Sequence, residues 1–93
     1  MTFMHPFDLD PGIIYLNHAA VAPWPAATVA AVEKFARDNG RLGALHYPRW
    51  LETEQRLREQ LARLIQAPSA DDIALLKSTS EGLSLVAQGL TWQ

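Results

Sequence analysis

The sequence predicts an α-rich α/β fragment built from an extended N-terminal arm, three helices and one or two short strands. Three observations carry that prediction. Four of the six prolines fall within the first 25 residues, a density that suits extended backbone and turns rather than helix. Two stretches, 26–38 and 49–66, place apolar residues at helical spacing. A short apolar run, Ile73-Ala74-Leu75-Leu76, leads directly into a hydroxyl-rich turn and a third amphipathic stretch.

The arm spans residues 1–25. Within it, Ile13-Ile14-Tyr15-Leu16 follows Pro11-Gly12 and reads as a brief strand or an extended segment docking on a core. The first helix is expected from Ala26 to about Asp38. Pro25 suits its first turn, Val29, Val32, Phe35 and Ala36 form its apolar stripe, and Asn39-Gly40 supplies a stop. Arg41 to Pro48 reads as a loop that holds Gly43, His46 and Tyr47. The second helix is expected from Arg49 to Gln66, burying Trp50, Leu57, Leu61, Leu64 and Ile65. Its opposite face carries Glu52/Arg56, Glu54/Arg58 and Glu59/Arg63, each an i,i+4 pair worth about 0.2–0.5 kcal/mol. Ala67-Pro68 ends it, Asp71-Asp72 marks a turn, and Ile73 to Leu76 reads as a buried strand. The third helix opens at Ser78 to Gly82 and turns Leu83, Val86, Ala87 and Leu90 to one side.

Composition narrows the function classes. The chain has 93 residues, 48% hydrophobic and 19% charged, a balance that argues against disorder. A domain of this length buries only about 60–65% of its unfolded surface. The formal net charge of -2 leaves no basic footprint for nucleic acid. Without cysteine there is no disulfide, thiolate nucleophile or zinc ribbon. Met1 to Asp8 lacks the basic and apolar regions of a signal peptide, and no run approaches the ~18 apolar residues of a membrane span. A cytoplasmic protein is therefore expected. His5, His18 and His46 share no metal-ligand spacing, so no metal site is expected. Trp24, Trp50 and Trp92 read as core or interface anchors.

Chemistry concentrates in Ile73 to Leu83. Ser78 and Glu81 have the S-x-x-E spacing of a capping box. The remaining first-turn amides point outward at the positive end of the helix dipole. With the hydroxyls of Ser78, Thr79 and Ser80 beside them they form a cradle suited to phosphate, and Gly82 permits close approach. The same spacing also serves an ordinary helix cap that holds no ligand. Lys77 either approaches an anion or is solvated.

Three blocks in order resemble the N-terminal part of the class V aminotransferases, which are pyridoxal-phosphate (PLP) enzymes. Pro11 to Ala20 resembles the opening "YL[DN]xAA" segment, Glu54 to Ile65 the long helix before the large domain, and Ile73 to Leu83 the strand and "[ST]T[ST]EG" turn. The resemblance covers nearly all of Phe7 to Trp92. It implies the N-terminal part of a fold-type I PLP-dependent transferase. In that reading, 1–25 is an arm, 26–67 a helical hairpin of the small domain, and 68–93 the first strand and helix of the large cofactor-binding domain.

The same resemblance implies that Thr79, Ser80 and Gly82 bind the cofactor phosphate. It implies that Asn17, His18, Ala19 and Ala20 line the substrate side, with His46 and Tyr47 reaching substrate from the loop after the first helix. A structural role for His18, and a surface role for His46 and Tyr47, stay open beside this. The 42–48 loop does not reproduce the His- and Arg-containing signature of the cysteine desulfurases, so transamination, desulfuration, epimerisation and elimination all stay open. The lysines are Lys34 and Lys77 alone, and neither matches the family's Schiff-base lysine. No catalytic residue is therefore assigned, and the chain is expected to be inactive by itself. An amino-acid substrate and a homodimer are the expected partners. The dimer is expected to form because Leu75 and the helix stripes need cover. The competing expectation is a non-enzymatic helical interaction module, and a weaker third is a stand-alone phosphate-binding domain.

Overall fold

A computed structural model describes residues 6–93; His5 and the rest of the first five residues lie outside the described residues. The chain divides between His46 and Tyr47 into two units, a division that falls inside the 26–67 segment.

In the first unit the arm is shaped by prolines and short backbone bonds. Ile13 N–H donates to Asp10 O at 3.0 Å across the Pro11-Gly12 turn, and Ala26 N–H donates to Pro6 O at 2.8 Å. Helix α1 then runs Ala26–Leu42. Pro25 stands at its N-cap, where a missing N–H loses nothing, and its carbonyl accepts from Thr28 and Val29 at 2.9 and 3.1 Å.

The expected stop at Asn39-Gly40 is corrected. The helix passes through both residues and ends at Gly43, whose φ of 55° is the conformation glycine adopts most cheaply. Gly43 N–H closes the end on Asn39 O at 2.9 Å. Lys34 donates to Asp38 and Arg37 lies 3.9 Å from Glu33, so two i,i+4 pairs support the turns that lead up to Asn39.

In the second unit, α2 runs Tyr47–Ile65. It begins two residues earlier than expected, because Pro48 fits the first helical turn. The loop between α1 and α2 shrinks to residues 43–46, and Tyr47 is helical rather than in a loop. After α2, Gln66 takes a φ of 57° and Ala67 N–H donates to Ala62 O at 2.8 Å, reversing the chain. A 3₁₀ turn, Ala70–Asp72, packs back on α2. It is held by a reciprocal cap that the sequence reading passed over: Ser69 Oγ accepts from Asp71 N–H at 3.1 Å, and Ser69 N–H donates to the Asp72 carboxylate at 3.2 Å. Helix α3 is Thr79–Gly89.

Two further expectations are corrected. Among the described residues there is no strand. A strand is defined by its pairing, and Ile13–Leu16 and Ile73–Leu76 have no ladder partner. The backbone on either side of the second segment is nevertheless extended, at Ile73 (φ −106°, ψ 119°) and Ser78 (φ −160°, ψ 159°).

The expected apolar face of α2 is also not a core. Leu57, Leu64 and Ile65 are exposed, and Ala62 is the buried residue among those described. Burial occurs where the chain folds back onto α2, and that is at Ala62 rather than along the leucine row. Of the three expected ion pairs on this helix, Glu54–Arg58 forms at 2.6 Å, while Arg56 donates instead to Thr53 Oγ1 at 3.2 Å.

The position of the α1 terminus makes the two nearby glycines respond with opposite sign. Neither has an atom within 4 Å of a built Cβ, so conformation alone decides. Gly40→Ala, in the helix interior, should stabilise α1 by about 1 kcal/mol, and Gly43→Ala should destabilise it by about the same amount. Chemical shifts and denaturant melts of both variants check this; destabilisation by Gly40→Ala would place the helix end at Asn39 instead.

A second expectation concerns pH. The Lys34 hydrogen bond, aided by the charges of Lys34, His46 and Arg37, holds the Asp38 carboxyl below its ordinary value. A depressed folded pKa gives support that is present above the unfolded value, about 4, and lost as pH falls through the folded one. Carbon shifts of residues 34–42 should hold steady above about pH 4 and lose helicity below it, with Asp38→Asn removing that step. Unchanged shifts on acidification would show that the pair does not support α1.

Candidate functional site

The extended segment Ile73–Leu76 enters α3 through a turn held by three bonds. Ser78 Oγ accepts from Glu81 N–H at 3.2 Å, so the serine is the N-cap the sequence predicts. Glu81 Oε2 accepts from Lys77 N–H at 2.9 Å. The S-x-x-E pair is thus made one residue off the ideal box, since the carboxylate reaches the residue before the cap instead of the cap itself. Gly82 N–H donates to Ser78 O at 3.2 Å and closes the first helical turn.

This leaves the N–H groups of Thr79 and Ser80 without a protein acceptor among the described residues, with both hydroxyls exposed beside them. Two open donors and two hydroxyls at the positive end of a helix can hold an oxyanion. The Glu81 carboxylate, at the same end, works against a second negative charge. Because its amide is committed to the helix, Gly82 adds room rather than a donor. A Cβ there would stand 3.4 Å from Leu76 Cδ1, an ordinary contact. Gly82 lies with Leu76, Leu83 and Val86 along an open apolar hollow beside the turn.

In the first unit, Asn17–Ala20 form a turn in which Ala20 N–H donates to Asn17 O at 3.2 Å. Tyr15 clips this turn from both sides. Its hydroxyl donates to Val21 O, and its ring meets that of His18 edge-on, with centroids 5.2 Å apart. The sequence reading missed Tyr15 because a tyrosine inside an apolar run looks like packing. Asn17, His18, Ala19 and Ala20 are all exposed. His46 closes this unit, half-buried, and Tyr47 opens the second, its ring edge-on to Trp50 at 5.7 Å. Among the described residues no three His, Asp or Glu side chains gather as metal ligands, and no helix is long and apolar enough to cross a membrane.

Comparison with known proteins places these features in a family. The model for Aminotransferase class-V matches residues 14–93, from the arm through α3. An uncharacterized protein of Schizosaccharomyces pombe is 31% identical over 80 residues, covering 86% of this chain and 18% of that protein. A probable cysteine desulfurase of Methanothermobacter thermautotrophicus is 33% identical over 84 residues, covering 86% of this chain and 21% of that protein. The chain spans about a fifth of the length of these curated relatives. No solved structure matches it. With a family match that takes in both the Tyr15-clipped turn and the capped α3 turn, the chain belongs to the class-V aminotransferases.

Proposed function

We propose that this chain supplies the cofactor phosphate-binding turn of a PLP-dependent enzyme that acts on an amino acid. The observation that carries the reading is the pair of open amides and exposed hydroxyls at Thr79 and Ser80 within a class-V aminotransferase match. These residues fit a phosphate monoester, which offers several acceptor oxygens to N–H and O–H donors in one place.

In this reading Thr79 and Ser80 bind the phosphate, Ser78 and Glu81 hold the turn, and Gly82 lets the phosphate approach the backbone. Asn17, His18, Ala19 and Ala20 line the amino-acid side, with Tyr15 fixing their turn. His46 and Tyr47 complete the substrate-facing group. When bound, PLP supplies an electron sink for bonds broken at the α-carbon of an amino acid.

Neither lysine of the chain is assigned to hold the cofactor covalently, since neither Lys34 nor Lys77 matches the Schiff-base lysine that the family resemblance implies. Activity therefore requires residues other than those of this chain. Among desulfuration, transamination, epimerisation and elimination, the probable desulfurase relative favours the first, while the 42–48 loop lacks the pattern expected for it.

Titration with PLP and with inorganic phosphate tests the proposal. A charge-assisted hydrogen bond contributes roughly 1.5–3 kcal/mol before ordering costs, and water competes for an exposed site, so binding in the millimolar range is expected. The amide signals of Thr79 and Ser80 should move, and Ser80→Ala should weaken binding by about tenfold. No stoichiometric borohydride-reducible adduct should form at Lys34 or Lys77. Amides that stay still at saturating phosphate would contradict the phosphate role, and a single-site adduct at Lys34 or Lys77 would contradict the reading that neither lysine holds the cofactor.

A further inference from the structure

Asn39-Gly40 lies inside α1 rather than at its end, and the pair has a chemistry of its own that the helix restrains. A backbone nitrogen that follows asparagine can attack the asparagine side-chain amide carbon. Glycine hinders this least, because it carries no Cβ and turns freely about its backbone. The two asparagines of the chain differ in this respect: Asn39 precedes Gly40, whereas Asn17 precedes His18, whose side chain crowds the nitrogen.

The structure shows what protects Asn39 and where that protection is weak. Asn39 and Gly40 are both exposed, and a Cβ built at Gly40 meets nothing within 4 Å outside its chain neighbours and the helix's own backbone. Cover from another element is therefore absent at Gly40, and the helical conformation is the shield. It commits the Gly40 N–H to the carbonyl four residues back, and its ψ near −40° holds that nitrogen away from the Asn39 amide carbon. The shield is thin here. Because α1 ends at Leu42, the pair lies in the last turn, where fraying is easiest, and Gly40 lowers helix propensity further. The Asn39 carbonyl is held by the Gly43 N–H at 2.9 Å, the bond that closes the helix.

We propose that Asn39 is a deamidation site that α1 holds shut and that opening of the last helical turn exposes. In the open state the Gly40 nitrogen bonds to Asn39 Cγ. The side-chain nitrogen leaves as ammonia, taking the proton that the Gly40 nitrogen gives up, and a five-membered succinimide remains. Water then adds at one of the two imide carbonyls and one C–N bond breaks, leaving aspartate or isoaspartate at position 39. Water is the co-reactant, and nothing is oxidised or reduced.

The product does not restore the helix end. Either acid adds a negative charge beside Asp38 at the C-terminal end of α1, where the dipole disfavours it. In isoaspartate the former side-chain carbonyl joins the main chain, and the carbonyl that accepted from Gly43 becomes a branching carboxylate. Residues 43–46 are tied to α1 by Gly43 N–H to Asn39 O and by Leu45 N–H to Leu42 O at 3.1 Å. The modification removes the first of these main-chain ties, so it shortens α1 and loosens the loop that holds His46. It is independent of what Thr79 and Ser80 bind.

Peptide mapping by mass spectrometry, on the full chain incubated in mildly alkaline buffer with and without denaturant, tests this. In denaturant Asn39 should convert to aspartate and isoaspartate well ahead of Asn17. In buffer alone its conversion should slow by about tenfold or more, because only the opened last turn reacts. Gly43→Ala, which weakens the end of α1, should speed conversion in buffer by about fivefold and leave the rate in denaturant unchanged. Gly40→Ala should slow it under both conditions. Equal rates with and without denaturant, a rate in buffer that Gly43→Ala does not change, or an Asn39 that stays intact in denaturant overturns the proposal. If Gly43→Ala unfolds α1 altogether, conversion in buffer at the denatured rate supports it.

Discussion

Uncovered apolar surface is the constraint on which the rest of this structure depends. The sequence is nearly half hydrophobic, yet Ala62 is the buried residue among those described. Burial at about 25 cal/mol per Å² is normally what offsets the entropy of ordering a chain. Here that contribution is largely deferred, and local bonds take on the work of fixing the backbone. Ser69 with Asp72, Ser78 with Glu81, Gly43 at the end of α1 and Tyr15 across its turn each close a short loop between near neighbours in sequence.

That division of labour suits the proposed role. A phosphate-binding turn has to present unpaired amides in a fixed direction. Ser78 and Glu81 secure Glu81 and Lys77 N–H, while the N–H groups of Thr79 and Ser80 stay open. The shape of the turn therefore rests on bonds between residues 77 and 82. The exposed leucines of α2 and the unpaired backbone at Ala74 and Leu76 lie in the same unit as the turn.

Local signals were legible in the sequence and non-local ones were not. All three helices, the Ser78 cap and the hydroxyl turn follow from spacing within a few residues. Asn39-Gly40 is a good stop signal, but Gly43 lies just beyond it and it is the Gly43 N–H that closes the helix on Asn39 O. Ser69 was overlooked because its partner is Asp72 and the turn it starts is only Ala70–Asp72. Ala62 could not be selected by helical periodicity, which favours the large residues Leu57, Leu61 and Leu64. Ile73–Leu76 reads as a strand from composition, but pairing depends on residues that no local pattern specifies. At the candidate site, Thr79 and Ser80 stood out by residue type, whereas the commitment of the Gly82 amide to Ser78 O and the reach of Glu81 to Lys77 needed coordinates.

The central claim is that near-neighbour caps, not a shared core, hold each element. Amide hydrogen exchange across a denaturant series, read residue by residue, tests it most directly. The account predicts separate openings for α1, α2 and α3, with Ser78→Ala lowering protection in α3 by about 1 kcal/mol and leaving α1 unchanged. A single cooperative opening shared by all protected amides, shifted as a whole by Ser78→Ala, would contradict it.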